Sequence, residues 1–111
     1  MKPRALAWIA AVTGGSLQGA DGWVGAVAID TRALPSQGQP LFVALKGENF
    51  DGHAHVPAAA NGGCVAALVA HPVDANITQI IVPNTERALA DLAAAAQRER
   101  STKVLAVTGS N

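Results

Sequence analysis

Apolar residues recur along the chain in short runs that alternate between helical and extended spacing. Leu6, Ile9 and Val12 recur every third residue, which predicts an amphipathic helix that Gly14-Gly15 ends. A second helix is expected to begin near Pro57 and to end at Asn61-Gly62-Gly63, and a third covers about residues 86–100, with Asn84 or Thr85 as its cap. Strands are predicted at residues 16–19, 23–29, 41–45, 64–69 and 79–82.

The carboxyl-terminal residues show a further apolar run, Lys103 to Val107, which predicts a strand buried on both faces. Because strands alternate with helices, the fold class is α/β. The composition changes near Pro83. We therefore predict a small amino-terminal domain over residues 1–82 and the first helix and strand of a second domain over residues 83–111.

Composition narrows the classes of function. Half of the residues are hydrophobic, 14% are charged and the formal net charge is zero, which indicates a globular chain without a general affinity for nucleic acid or anionic membranes. No apolar run reaches the roughly 20 residues that a bilayer crossing needs. Lys2 and Arg4 precede an apolar stretch as in a signal peptide, but an amphipathic helix explains that stretch better. A single cysteine, Cys64, excludes an internal disulfide and fits a cytoplasmic protein.

Three polar residues, Asp30, Thr31 and Arg32, follow the second predicted strand. The arginine can bind two oxygens of a phosphate or carboxylate, and the threonine hydroxyl can bond to a base or ribose. A simpler interpretation is a solvated strand end, in which Asp30 pairs with Arg32 or caps a turn.

A polar loop follows the apolar strand 41–45. It contains Lys46, Gly47, Asp51, Gly52 and His53, and loops held by rigid strands often bind ligands. Phe50 within it is interpreted as a possible core anchor. His53 and His55 lack the cysteine or carboxylate neighbours of a metal site, so no metal is predicted. Cys64 lies in a strand and is expected to be unreactive.

The last four residues, Thr108, Gly109, Ser110 and Asn111, follow a predicted buried strand as the start of a phosphate-binding loop does. The lysine and the Mg²⁺-binding hydroxyl of such a loop are not among them. By itself this pattern fits a plain strand followed by a turn better than it fits a phosphate-binding loop.

Taken together, these segments resemble the Mur ligase family. The segments in order are Gly14-Gly15, Asp30-Thr31-Arg32, the run from Leu41 to His53, Asn84-Thr85 and Val107 to Asn111. Phe-Val-Ala-Leu-Lys-Gly-Glu followed by Phe-Asp-Gly-His is the most specific of them, and the resemblance covers nearly the whole chain. It is strongest to members that add D-alanyl-D-alanine to UDP-N-acetylmuramoyl-tripeptide, since Ser110 is usually threonine in the members that add the third peptide residue.

The resemblance implies a role for each matched residue. Asp30, Thr31, Arg32, Lys46, Gly47, Asp51, Gly52 and His53 match the site for the UDP-linked substrate, and Thr108, Gly109, Ser110 and Asn111 match the start of an ATP loop. The whole enzyme is expected to use ATP and Mg²⁺, to act as a cytoplasmic monomer in peptidoglycan synthesis, and to proceed through an acyl phosphate. No catalytic residue is expected within these 111 residues, so the chain alone should be inactive.

Two alternatives stay open from the sequence. One is a stand-alone module that binds a UDP-sugar without chemistry. The other is the sibling ligase that adds the third peptide residue.

Overall fold

A five-stranded sheet with helices on both faces forms the framework of the computed structural model, which describes residues 3–34, 38–48 and 50–108. The strands are β1 (Arg4–Ala5), β2 (Ser16–Gln18), β3 (Trp23–Val24), β4 (Ala26–Ala28), β5 (Pro40–Val43), β6 (Ala66–Val69) and β7 (Thr78–Ile81). The helices are α1 (Leu6–Thr13), α2 (Val56–Asn61) and α3 (Thr85–Thr108), with short 3-10 helices at Thr31–Ala33 and Gly52–His55. The predicted α/β class is confirmed.

The sheet has the order β2-β7-β6-β5-β4. Neighbours from β4 to β7 are parallel, whereas β2 is antiparallel to β7. A separate antiparallel ribbon joins β1 to β3. Since β4 to β7 run in one direction, the loops that leave their carboxyl ends emerge at one edge of the sheet.

Alternating side chains of the central strands divide the core into two layers. Leu41 and Val43 of β5 belong to a cluster with Ile9 of α1 and Leu92 of α3. Phe42, between them in sequence, belongs to the opposite cluster with residues of α2. Central strands with both faces buried explain why these runs are apolar without alternation.

The end of α1 and the start of α3 follow the sequence signals closely, whereas α3 extends beyond its predicted end near residue 100. Gly14 adopts a left-handed conformation with φ of 69°, which closes α1 as predicted. At the start of α3, Oδ1 of Asn84 accepts from the N–H of Arg87 at 3.0 Å, so Asn84 is the cap. The hydroxyl of Thr85 instead donates to the carbonyl of Ala44 at 2.8 Å and joins α3 to the end of β5.

The strand predicted over residues 23–29 is wrong as a single element. It is divided at Gly25 into β3, which pairs with β1, and β4, which pairs with β5. The N–H of Gly25 donates to the carbonyl of Gly38 at 2.8 Å, and a Cβ there would lie 2.5 Å from that oxygen. The chain changes sheets where only glycine permits this close approach.

The strand predicted over residues 103–107 is also wrong, because α3 continues through Thr108. Within the described part of the chain, no strand pairs with this run. A helix satisfies each backbone group locally, whereas a strand needs a neighbour. Despite the length of α3, none of the described helices is both long and apolar enough to cross a bilayer.

Candidate functional site

The residues predicted to bind the substrate follow β4 and β5 at the carboxyl edge, the name used here for the edge where β4 to β7 end. Asp30, Thr31 and Arg32 follow β4, and the ligand loop, residues 46–53, follows β5. His71 follows β6 at the same edge. Ligands of open α/β sheets characteristically bind outside the carboxyl ends of the strands.

Asp30 and Arg32 form a two-pronged ion pair. Nη2 of Arg32 donates to Oδ2 of Asp30 at 2.9 Å, and Nε donates to Oδ1 at 3.1 Å. Asp30 Oδ1 also accepts from the backbone N–H of Arg32 at 2.9 Å and caps the 3-10 helix that begins at Thr31. The simpler interpretation of this segment is thus what the structure contains, with Arg32 still 89% exposed.

This pair changes the titration of both groups. The hydrogen bond from the Arg32 side chain, and next the one from its backbone, lowers the pKa of Asp30 to about 2. The same side-chain bond raises the pKa of Arg32. The positive charge of protonated His55 also lowers the pKa of Asp30, which connects the turn after β4 to the one after β5.

The ligand loop is folded back on itself and against the two residues that follow β5. Lys46 and Asp51 form an antiparallel bridge, and the N–H of Gly47 donates to the carbonyl of Phe50 at 2.6 Å. The N–H of Gly52 donates to the carbonyl of Leu45 at 2.7 Å. A Cβ on Gly52 would lie 2.9 Å from three backbone atoms of Ala44 and Leu45, so glycine is required. Lys46 remains exposed above the edge.

His53 is buried and both of its ring nitrogens are bonded within the protein. Nδ1 lies 2.6 Å from Oδ1 of Asp51, and Nε2 accepts from the N–H of Ala70 at 2.9 Å. Asp51 Oδ1 also accepts from the backbone N–H of His53 at 3.0 Å. These bonds from His53, the backbone one first, lower the pKa of Asp51.

Two aromatic stacks at this edge were not predicted from the sequence. The rings of His53 and His71 are 4.3 Å apart, and those of Phe50 and His55 are 5.4 Å apart. The core-anchor interpretation of Phe50 is wrong, since its side chain is 47% exposed. His71 could have been found from its position directly after an apolar strand, as Lys46 was.

A shallow depression of about 480 Å³ lies at the opposite, amino-terminal edge of the sheet. It is lined by Gly19, Ala20, Cys64, Val65, Ala75, Asn76, Ile77 and Thr78, none of them charged. Burial raises the pKa of the Cys64 thiol, which makes it a poor nucleophile. We therefore assign the candidate site to the carboxyl edge.

The described residues form no cluster of side chains that would hold Mg²⁺. They contain no group of three or more histidine, cysteine or acidic side chains placed to hold a metal ion. Thr108 ends α3, and Gly109, Ser110 and Asn111 lie outside the described residues. The ATP-loop assignment stays a prediction.

Comparison with known proteins gives a consistent result, although no protein-family model matches the chain. UDP-N-acetylmuramoyl-tripeptide–D-alanyl-D-alanine ligase of Escherichia coli K12 is 44% identical over 100 residues, which are 90% of this chain and 22% of that protein. The Bacillus subtilis 168 protein of the same name is 45% identical over 89 residues, 77% of this chain and 19% of that protein. This chain belongs to the Mur ligase family. A crystal structure of MurF from Acinetobacter baumannii superposes with a TM-score of 0.80 at 32% identity, and the match covers 89% of this chain and 22% of that chain.

The chain spans about a fifth of the length of these Mur ligases, and it matches their amino-terminal part. The comparison also includes the Mur ligase of Bacillus licheniformis named for 2,6-diaminopimelate. That protein is 38% identical over 73 residues, 64% of this chain and 15% of that protein.

Proposed function

We propose that this chain forms the part of a Mur ligase that holds the UDP end of UDP-N-acetylmuramoyl-tripeptide. The observation that supports the proposal most strongly is the carboxyl edge, where the Asp30–Arg32 pair and the ligand loop follow the neighbouring parallel strands β4 and β5. Every residue predicted for the UDP-linked substrate lies there, on a chain that is 44% identical to a ligase of that substrate.

Each residue has a proposed task at this edge. Arg32 donates to the diphosphate through the exposed part of its guanidinium, and Lys46 supplies a second positive charge. Thr31 bonds to the base or ribose. Asp30 orients Arg32, while Gly47, Asp51, Gly52 and His53 give the ligand loop its shape.

The whole enzyme is proposed to join D-alanyl-D-alanine to this substrate at the expense of ATP in the cytoplasm, where ATP is available. The proposed division into residues 1–82 and 83–111 assigns the ATP loop to Thr108–Asn111. Sequencing the source DNA beyond the codon for Asn111 tests that assignment. An in-frame Gly-Lys-Thr or Gly-Lys-Ser supports it, and any other sequence contradicts it.

Calorimetric titration of the 111-residue chain with UDP-N-acetylmuramoyl-tripeptide tests the substrate site. Arg32→Ala should weaken binding by about 1.5–3 kcal/mol, roughly 10- to 150-fold, because a charge-assisted hydrogen bond is lost. Arg98→Ala is the matched control, since Arg98 is an exposed arginine far along α3. Equal affinity of wild type and Arg32→Ala would remove Arg32 from the site.

The sibling ligase is a second candidate, favoured by the 38% identity to the diaminopimelate-adding relative. Both candidates use the same UDP-linked site. An assay of the whole enzyme with D-alanyl-D-alanine, and separately with diamino and basic amino acids, distinguishes them by which amine acceptor is consumed.

A further inference from the structure

The hydrogen bonds of His53 define its protonation. Because the N–H of Ala70 points to Nε2, that nitrogen is an acceptor and carries no proton. The proton of the neutral ring is then on Nδ1, from which it is donated to Asp51. His53 thus connects the ligand loop after β5 to the backbone directly after β6.

We propose that His53 is a positioning residue, which ties the ligand loop to the end of β6 and so presents Lys46 to the ligand. This inference rests on the proposed function and gives His53 a task other than the direct ligand contact expected from the sequence. Both ring nitrogens are already bonded and the residue is only 6% exposed, so no polar atom of the ring is available to a ligand.

The hydrogen bonds of His53 are linked to Lys46 through Asp51. Asp51, the acceptor of the Nδ1 proton, is the residue that bridges to Lys46. Gly52 lies between Asp51 and His53 and packs closely against the backbone of Ala44 and Leu45, which directly follow β5. Loss of the bond to Ala70 would free one end of this arrangement while β5 and β6 remain paired.

The other charged and titratable groups near the His53 ring do not make the hydrogen bonds that His53 makes. His71 stacks on the ring face and covers it, but it makes no hydrogen bond to either nitrogen of His53. Lys46 acts on Asp51 through its charge. Among the described residues, the N–H of Ala70 donates to Nε2 of His53.

Two substitutions separate the functions of the two nitrogens. His53→Gln places an oxygen near the position of Nε2 and keeps an acceptor for Ala70. His53→Asn keeps a donor near Asp51 but is too short to reach Ala70. Arg98→Ala, at an exposed residue far along α3, is again the control.

Titration with UDP-N-acetylmuramoyl-tripeptide should show about tenfold weaker binding for His53→Asn, if the loop is correctly placed in about a tenth of the molecules. His53→Gln should retain most of the affinity, and Arg98→Ala should match wild type. In the ligand-free protein, the amide of Ala70 should exchange its hydrogen at least tenfold faster in His53→Asn than in His53→Gln. Long-range ¹H–¹⁵N spectra of wild type should show the Nδ1–H tautomer.

The results distinguish this inference from the proposed function. If wild type binds the probe and folded His53→Asn binds it equally well, the positioning role is overturned and the substrate site stands. An Nε2–H tautomer in wild type overturns the tie even if the variants fail to fold. If wild type does not bind the probe, the proposed function and the positioning role both fall.

Discussion

At the scale of single residues, the two turns at the carboxyl edge repeat one arrangement. In each, an aspartate accepts from the backbone N–H two residues later and from the side chain of that same residue: Arg32 for Asp30, and His53 for Asp51. Each aspartate thereby caps a 3-10 helix and fixes a nitrogen-bearing side chain. A short sequence pattern, Asp-x-Arg or Asp-x-His, thus places two side chains at once.

The Asp30–Arg32 pair predicts an acid titration. The pKa of Asp30 is lowered to about 2, so its contribution to stability is present above its unfolded pKa near 4 and is lost as the pH falls through about 2. Arg32→Ala should raise the pKa of Asp30, because it removes the side-chain hydrogen bond that lowers this pKa most. Carboxyl ¹³C titration by NMR measures the shift, and an unchanged midpoint in the variant would show that Arg32 does not bind Asp30 in solution.

At the scale of elements, the sequence was informative wherever a strand is buried on both faces or a helix has an amphipathic start. The runs at β5, β6 and β7 were predicted to within two residues at each end, because strands buried in the core are rich in apolar residues. The break at Gly25 was not predictable, since it depends on contact with Gly38, which is remote in the chain. The hydrogen bond from the N–H of Ala70 to His53 could not be predicted for the same reason, because the two residues are 17 positions apart in the sequence.

The contact of the ligand loop with Ala44 and Leu45, the two residues that follow β5, makes Gly52 a sensitive position. Gly52→Ala should lower the free energy of unfolding by about 1–3 kcal/mol, because its Cβ would overlap backbone that cannot move as a side chain can. Gly47→Ala is the control in the same loop, where the nearest atom to the added Cβ lies 4.0 Å away. Chemical denaturation compares the two, and equal losses would contradict the close packing of the loop on β5.

At the scale of the whole molecule, one core cluster joins α1, the sheet and α3. Leu6 and Ile9 of α1 and Ala88 and Leu92 of α3 meet the same face of the sheet. The first turns of α3, placed by sequence in the second domain, therefore share a core with the first. The boundary at residue 82 stays a prediction. The strand expected at residues 103–107 was wrong, because whether a strand finds a pairing partner depends on the whole fold and not on its own residues.

This shared core predicts that α3 stabilises the sheet. Leu92→Ala should cost about 2–5 kcal/mol of unfolding free energy through lost burial and the cavity that remains. Leu89 is only partly buried on the same helix, so Leu89→Ala should lower the unfolding free energy clearly less. Thermal denaturation that leaves the midpoint unchanged in Leu92→Ala would show that α3 is detached from the sheet in solution.

The antiparallel pairing of β2 with β7 limits how the carboxyl edge could be grafted onto another protein. The parallel strands β4 to β7 carry the whole carboxyl edge, yet β7 needs β2, from the other end of the chain, to cover its outer side. A graft that begins at β4 would leave the peptide groups of β7 unpaired and the face beneath α1 open to water. The carboxyl edge can therefore be transferred to another protein only together with the amino-terminal helix, which lies outside that edge.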